Sequence, residues 1–283
     1  MITTPEAASL TDGAQRVAVR GLRGGVLFEG TDAVVDEVPV ALEFNGLSHA
    51  VMLATPTDLE DFALGFALSE SIVEHAGQVF GVEQESSDLG VTLRVEVASA
   101  AFSRLKLRRR TLAGRTGCGL CGAESLAELM PPVQPVLASV RISTDAVHHA
   151  VQGLAAAQRL QGVTGAAHAA AWCSERGDIE VLREDVGRHN ALDKLVGALR
   201  RNEQFEGAGG FVLVTSRASF EMVNKAAAAL SSVLVAVSAP TALAIRTAER
   251  LGVCLAGFAR KGDIVVYSHP DLLCLAPGTG ALS

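Results

Sequence analysis

Aromatic side chains are scarce in this chain, at 4% of 283 residues, with one tryptophan (Trp172) and one tyrosine (Tyr267) beside ten phenylalanines. Single-stranded nucleic acid is held on rows of stacking aromatics, so the composition argues against that ligand. An excess of positive charge is also missing: 24 Lys and Arg against 31 Asp and Glu leave a formal net charge of −7. That balance opposes a polyphosphate backbone but leaves room for a single nucleotide. Cysteine is limited to Cys118, Cys121, Cys173, Cys254 and Cys274, an odd count without the spacing of a secreted disulfide framework. The first residues, Met1-Ile2-Thr3-Thr4-Pro5-Glu6, have neither a basic nor an apolar export segment, and the chain reads as cytoplasmic. Uncharged stretches of membrane-spanning length are nearly absent. The candidate is residues 226–245, but Ser231, Ser232, Ser238, Pro240 and Thr241 divide it into a helix end, a short strand and a turn. Buried elements of an α/β domain have that composition, so no membrane span is expected.

What is present is an apolar, ordered chain: 49% hydrophobic, 19% charged and a mean hydropathy of +0.31. Its length favours two domains over one core. Residues 1–14 are small and polar and are expected to be a disordered tail. Residues 15–52 are strand-like, and Asn45-Gly46 marks a two-residue hairpin turn because both positions tolerate positive φ. Thr57 and Glu60 have the spacing of a capping box that opens a helix. Residues 91–97 alternate as a half-exposed strand. Pro131, Pro132 and Pro135 cannot propagate a helix and mark a linker, which places a domain boundary near residue 137. An N-terminal α+β domain, 15–136, thus precedes a second domain, 137–283. In the latter, helices over 144–161, 190–201, 219–231 and 241–251 alternate with strands over 168–173, 179–183, 210–215, 233–237, 253–258 and 264–268. Such alternation predicts an α/β layer architecture on a parallel or mixed sheet.

The most informative motif is Arg115-Thr116-Gly117-Cys118-Gly119-Leu120-Cys121-Gly122. A helix-like stretch, 123–130, follows at once, which puts the thiols at a helix N-terminus where unpaired N–H groups and the helix dipole favour an anion. Arg108, Arg109, Arg110 and Arg115 add positive charge, and such surroundings turn a thiol of ordinary pKa, about 8.5, into a thiolate. A structural zinc site needs four ligands, and no second CxxC or suitably spaced histidine pair accompanies this one; His148 and His149 are adjacent and Cys173 is isolated. A thioredoxin-like motif follows the first strand of a small domain, whereas this one follows about a hundred mostly strand-like residues. Thiol chemistry is the favoured reading, with a zinc site and an inert pair as alternatives.

Three polar clusters complete the set. Residues 183–194 place Glu184, Asp185, Arg188, His189 and Asn190 at a strand-to-helix junction, where α/β sheets bind ligands, with Gly187 permitting a tight turn. The rival account is a solvated helix start. Residues 215–225 repeat the junction with Ser216, Arg217 and Ser219, suited either to an anion at the helix N-terminus or to simple capping by Ser219 with Glu221 in the first turn. Residues 257–263 join two strands and are, taken alone, a charged hairpin.

Together these segments resemble the formate dehydrogenase accessory sulfurtransferase (FdhD) family. The resemblance rests on residues 115–122, 184–194, 216–225 and 257–270, with Glu37-Val38-Pro39-Val40-Ala41-Leu42, Asn45-Gly46 and residues 62–66, and runs from about 35 to 272. It implies a protein that takes sulfur from a cysteine desulfurase as a persulfide and passes it to the molybdenum cofactor, in its bis(molybdopterin guanine dinucleotide) form, for insertion into formate dehydrogenase. By that resemblance Cys118 carries the persulfide, Cys121 assists, and the cofactor-binding stretch is Phe258, Ala259, Arg260, Lys261, Gly262 and Asp263. Arg217, Ser219, His189 and Asn190 are further candidates at the helix starts, and GDP is expected as a simpler mimic of the cofactor. The resemblance also implies a homodimer and a cytidine-deaminase-like three-layer α/β/α second domain. Deaminase catalysis is not expected: its signature, H-x-E followed by P-C-x-x-C, is absent, since Ala169 and Ala170 follow His168 and the CxxC lies upstream.

Overall fold

The computed structural model describes residues 10–112, 133–137, 140–202 and 204–275, without the side chains of 108–112. Residues 113–132, with Cys118 and Cys121, and most of the expected N-terminal tail lie outside the described residues.

A long antiparallel ribbon, β1 (Ala14–Arg23) and β2 (Val26–Val35), leads into β3 (Val38–Phe44) and β4 (Leu47–Ala54). The turn between β3 and β4 has φ of 46° at Asn45 and 77° at Gly46, as the dipeptide predicts. Asn45 also clamps the turn to a neighbouring strand: its amide donates to the Val97 carbonyl at 2.9 Å and accepts from the Val97 N–H at 2.7 Å. That strand is β6 (Gly90–Val97), which pairs parallel to β3 and antiparallel to β5 (Val79–Ser87), giving the order β4-β3-β6-β5. Alternation turns Val40, Leu42 and Phe44 of β3 and Leu93, Val95 and Val97 of β6 into one core, covered by α1 (Leu59–Ser69). Helix α2 (Ser99–Leu112) closes the described part of this half.

The expected capping box at Thr57 and Glu60 is not formed. Helix α1 begins after Asp58, at φ 50° and ψ 38°, without a side-chain cap. Thr57 Oγ1 instead faces Lys194 Nζ at 3.5 Å, and the Glu60 carboxylate meets Arg201 at 3.2 Å, so tertiary partners claim both residues.

In the second half β7 (Ile142–Ser143) precedes α3 (Thr144–Ala157) and α4 (Arg159–Thr164). The single helix expected over 144–161 breaks at Gln158 because the Glu184 carboxylate accepts from the backbone N–H groups of Leu160 (2.8 Å) and Gln161 (2.9 Å), opening a new helix start. Then follow β8 (His168–Ser174), β9 (Ile179–Asp185), α5 (Arg188–Arg200), β10 (Gly210–Val214), α6 (Phe220–Ala228), β11 (Val233–Ala236), α7 (Ala242–Leu251), β12 (Cys254–Arg260), β13 (Asp263–Val266) and β14 (Leu273–Cys274). The six-stranded sheet has the order β13-β12-β11-β10-β8-β9; β10, β11 and β12 are parallel and the other pairs antiparallel. Helix α3 covers one face through Val147, Ala150 and Leu154 over Phe211, Leu213, Val233 and Val235. The other face, with Val212, Val214, Leu234 and Leu255, meets α5, α6 and α7. Burial on both faces explains why β10 and β11 read as unbroken apolar runs. No helix among the described residues is long and apolar enough to cross a membrane.

The two halves share an apolar core that runs from β3 and β6 through α1 and α5 to the six-stranded sheet. Glycine lets α1 and α5 approach backbone to backbone: a Cβ at Gly65 would collide with the Asp193 carbonyl, and one at Gly197 with the Asp61 carbonyl. Ion pairs lock the same joint. Lys225 of α6 donates to both oxygens of Asp193 (2.7 and 2.9 Å) and to Ser69 Oγ of α1 (3.0 Å). Burial pulls the Lys225 ammonium toward neutrality, but the Asp193 and Glu70 carboxylates outweigh it and raise its pKa above the ordinary lysine value. Asp61 accepts from Arg183 (2.7 Å) and Arg201 (2.6 Å).

Candidate functional site along the sheet edge

The parallel strands β10, β11 and β12 end on one edge of the sheet. Because β8 is antiparallel to β10 and β9 to β8, the start of β8 and the end of β9 come to that edge too, with His168 opposite Asp185. Residues 185–190, 215–219, 237–241 and 258–260 therefore line up, although up to about seventy residues separate them in sequence. Backbone bonds tie the loops together: Phe258 N–H to the Ser238 carbonyl (3.2 Å), Ala218 N–H to Ala239 (3.3 Å) and Thr241 N–H to Ala218 (3.0 Å). From β12 to β9 are four strand spacings, or about 19 Å. Ligands of α/β sheets bind at this edge, where strand direction changes.

At one end is the β12–β13 hairpin. Its ladder slips between Gly257 and Arg260, and Phe258, an aromatic residue, sits in the left-handed region at φ 55°. Such a conformation costs on the order of 1–3 kcal/mol and is found where surroundings impose it. The Arg260 guanidinium lies 5.6 Å from the Phe258 ring centroid. Arg260, Lys261, Gly262 and Asp263 are exposed, whereas Ala259 is fully buried, its methyl group in the core beneath.

At the other end the polar cluster divides. Asp185 is fully buried and holds Lys194 (2.7 Å), the Gly187 N–H (2.7 Å), the Thr55 N–H (3.0 Å) and Asn190 (3.0 Å). Burial lowers the Lys194 pKa, and Asp185 opposes the shift. Asn190 also donates to the Leu53 carbonyl at 2.8 Å and is 3% exposed. Asp185, Asn190 and Lys194 thus anchor the first turn of α5 to the β4–α1 loop, and Glu184 caps α4, instead of facing a ligand as their density in sequence suggests.

Arg188, His189 and His168 remain at the edge. His189 Nε2 lies 3.0 Å from the Glu221 carboxylate, close enough for an ion pair although the ring is not aligned for a hydrogen bond. Contact with His189 holds the Glu221 pKa below the ordinary carboxylate value, against burial. Burial, then the charge of Arg188, lowers the His168 pKa; Asp185 opposes. Ser219 precedes α6 but does not cap it: its hydroxyl lies 3.3 Å from Glu221. Helices α5 and α6 thus begin without a side-chain cap, whereas Thr241 caps α7 and Ser143 caps α3. Together with exposed Arg217, the two uncapped helix starts suit an extended anion.

Of the three other thiols, Cys274 is exposed and Cys173 and Cys254 are buried. Burial pushes Cys173 and Cys254 up to about 12, which keeps both protonated at neutral pH. The segment after the cysteine loop returns at the far end of the parallel strands, where Val136 N–H bonds to the Leu251 carbonyl at 2.8 Å. A largely apolar cavity of about 940 Å³ opens there, lined by Leu68, Ile72, Leu105, Val133, Val136 and Leu230.

A family model described as the FdhD/NarQ family matches residues 35–274. The chain is 58% identical over 257 residues to a sulfur carrier protein FdhD of Variovorax paradoxus, covering 91% of this chain and 92% of that protein. It is 52% identical over 273 residues to a sulfur carrier protein FdhD of Bordetella petrii, covering 96% and 98%. Its fold is similar to a crystal structure from Desulfotalea psychrophila described as a formate dehydrogenase accessory protein, with a TM-score of 0.70 at 21% identity over 92% of this chain and 99% of that one.

Proposed function

The chain belongs to the FdhD/NarQ family, and on that premise we propose that it is a sulfur carrier for formate dehydrogenase, a sulfurtransferase working through a persulfide. Cys118 receives the sulfur: its thiolate attacks the outer sulfur of a cysteine desulfurase persulfide, the donor S–S bond breaks, and the donor leaves as a thiolate while the new S–S bond forms on Cys118. Cys121 assists. Cys173 and Cys254 are protonated and buried, which removes two of the other three thiols, while Cys274 is exposed; the CxxC is preferred to it because its two thiols are paired and flanked by arginines.

The sulfur goes to the bis(molybdopterin guanine dinucleotide) cofactor, bound as a substrate along the sheet edge. The observation that carries this reading is the alignment of the 258–263 hairpin with two uncapped helix starts. Arg260 and Lys261 at one end, with Arg217 and Ser219 farther along, offer charge and hydrogen bonds to phosphates, and His189 lies beyond them. Asn190 contributes by holding α5. The protein acts in the cytoplasm as a homodimer, and its second half is the cytidine-deaminase-like layer. The alternative is a chaperone that binds the cofactor non-covalently. Incubation with a cysteine desulfurase and cysteine, followed by intact-mass and peptide analysis, separates them: the expected result is one added sulfur on Cys118, and an unmodified protein refutes the carrier.

A further inference from the structure

No residue of β1 or β2 is buried. The ribbon is held at its base by Gly13, where an added Cβ would meet Thr55 and Leu160, and α4 packs against it. Each strand has ten residues, which makes the ribbon about 34 Å long. A two-stranded hairpin is marginally stable in water by itself, yet this one carries apolar side chains at its far end: Leu22, Val26 and Leu27 are 66%, 70% and 68% exposed. The two faces of that end differ. On one, the Phe28 ring lies over Gly21 and the Arg23 guanidinium is 4.8 Å from the ring centroid, so the ribbon covers itself. On the other, Leu22 and Leu27 are directly opposite each other and bare, next to the Arg20–Glu29 pair.

A second open surface lies on the four-stranded sheet. Helix α1 covers the face that carries Val40, Leu42 and Phe44. The reverse face pairs Leu53 with Pro39 and Val51 with Ala41, and Val51 and Leu53 are 63% and 56% exposed. Toward β5 the same face becomes acidic, with Glu43, Glu83, Glu85 and Glu96 around Arg94. The ribbon has the opposite balance, with Arg16, Arg20 and Arg23 against Glu29 and Asp32. An apolar tip on a basic stalk thus matches a face that is apolar in one half and acidic in the other. We propose that the ribbon of one copy lies across this sheet face of a second copy, which returns its own ribbon, with Leu22 and Leu27 seated on Val51 and Leu53. One two-fold axis closes such a reciprocal exchange. A ribbon face of about 34 Å by roughly 10 Å has an area of roughly 340 Å². Two ribbons and two receiving faces together bury roughly 1,400 Å², within the range of about 1,200–2,000 Å² for a stable interface. The proposal rests on the homodimer reading above and assigns its surfaces.

The test is sedimentation equilibrium of the full chain for the wild type, a tip variant carrying Leu22→Ser with Leu27→Ser, and the face variant Val51→Glu, with circular dichroism alongside to check folding. Val51→Ser replaces the face variant if the glutamate prevents folding. The wild type is expected to dimerise, and each variant to raise the dimer Kd by roughly a hundredfold or more, since each loses apolar contacts at two symmetric places. Mixing the two variants is expected to restore dimer in part, because the intact ribbon of the face variant meets the intact face of the tip variant; native mass spectrometry identifies this heterodimer by its mass. A wild-type Kd in either variant overturns the inference and leaves the homodimer reading intact. Variants that dissociate without complementing each other overturn the ribbon-to-face pairing, as a ribbon-to-ribbon contact would. A wild type that is monomeric throughout overturns the homodimer reading and this inference with it.

Discussion

Replacing Lys225 by methionine isolates the buried ion pair at the joint of the two halves. Lys225→Met keeps most of the side-chain volume but removes the ammonium that lies 2.7 and 2.9 Å from the Asp193 oxygens. The Asp193 side chain is 1% exposed, and its other contact in this network is the Ser69 hydroxyl at 2.6 Å. Breaking one side of a buried pair costs about 3–5 kcal/mol. The carboxylate has one escape, which is to take up a proton. From an ordinary pKa of 3.8, protonation costs about 4.4 kcal/mol at pH 7 but only about 1.6 kcal/mol at pH 5. The loss of stability is therefore expected to be about 3–4 kcal/mol at pH 7 and below about 2 kcal/mol at pH 5. Urea denaturation read by the fluorescence of Trp172, which is 3% exposed and packs edge-on against Phe205, measures both. The double variant Asp193→Asn, Lys225→Met removes the stranded charge and is expected to recover most of the loss. A loss below about 1 kcal/mol at pH 7, or one that does not change between pH 5 and pH 7, refutes the reasoning.

Three other predictions follow from the same physics. Cys118→Ala is expected to abolish formate dehydrogenase activation in a complementation assay and Cys121→Ala to weaken it less; equal losses contradict their unequal roles. The His168 ring is expected to titrate below 6.5 by proton NMR, because its folded state favours the neutral form. The stability associated with it is present above 6.5 and declines as pH falls through that value, since the unfolded chain then binds the proton first; Arg188→Ala should move the titration back toward 6.5. Gly65→Ala pushes a methyl group into the Asp193 carbonyl of α5 and should destabilise by about 1–3 kcal/mol or more, as overpacking does. A melting temperature equal to that of the wild type would show that α1 and α5 can move apart freely.

Features set by neighbouring residues were legible in the sequence. Asn45-Gly46 determines its turn because both residues accept positive φ whatever surrounds them. The runs at β10 and β11 determine buried strands because apolar residues on both faces need cover on both faces. The ordered motifs identify the family.

Choices among distant partners belong to the tertiary structure. Thr57 and Glu60 have the right spacing to cap α1, yet Lys194 and Arg201, more than a hundred residues away, claim them. The helix expected over 144–161 is cut because the Glu184 carboxylate reaches two N–H groups from another strand. Asp185 and Asn190 look like ligand-binding groups until the β4–α1 segment and Lys194 arrive with the donors and acceptors that satisfy them. Local conformational preference is short-ranged and is written in adjacent residues. The partner of a buried polar group depends on which atoms the packed core brings within about 3 Å, and that depends on the whole chain.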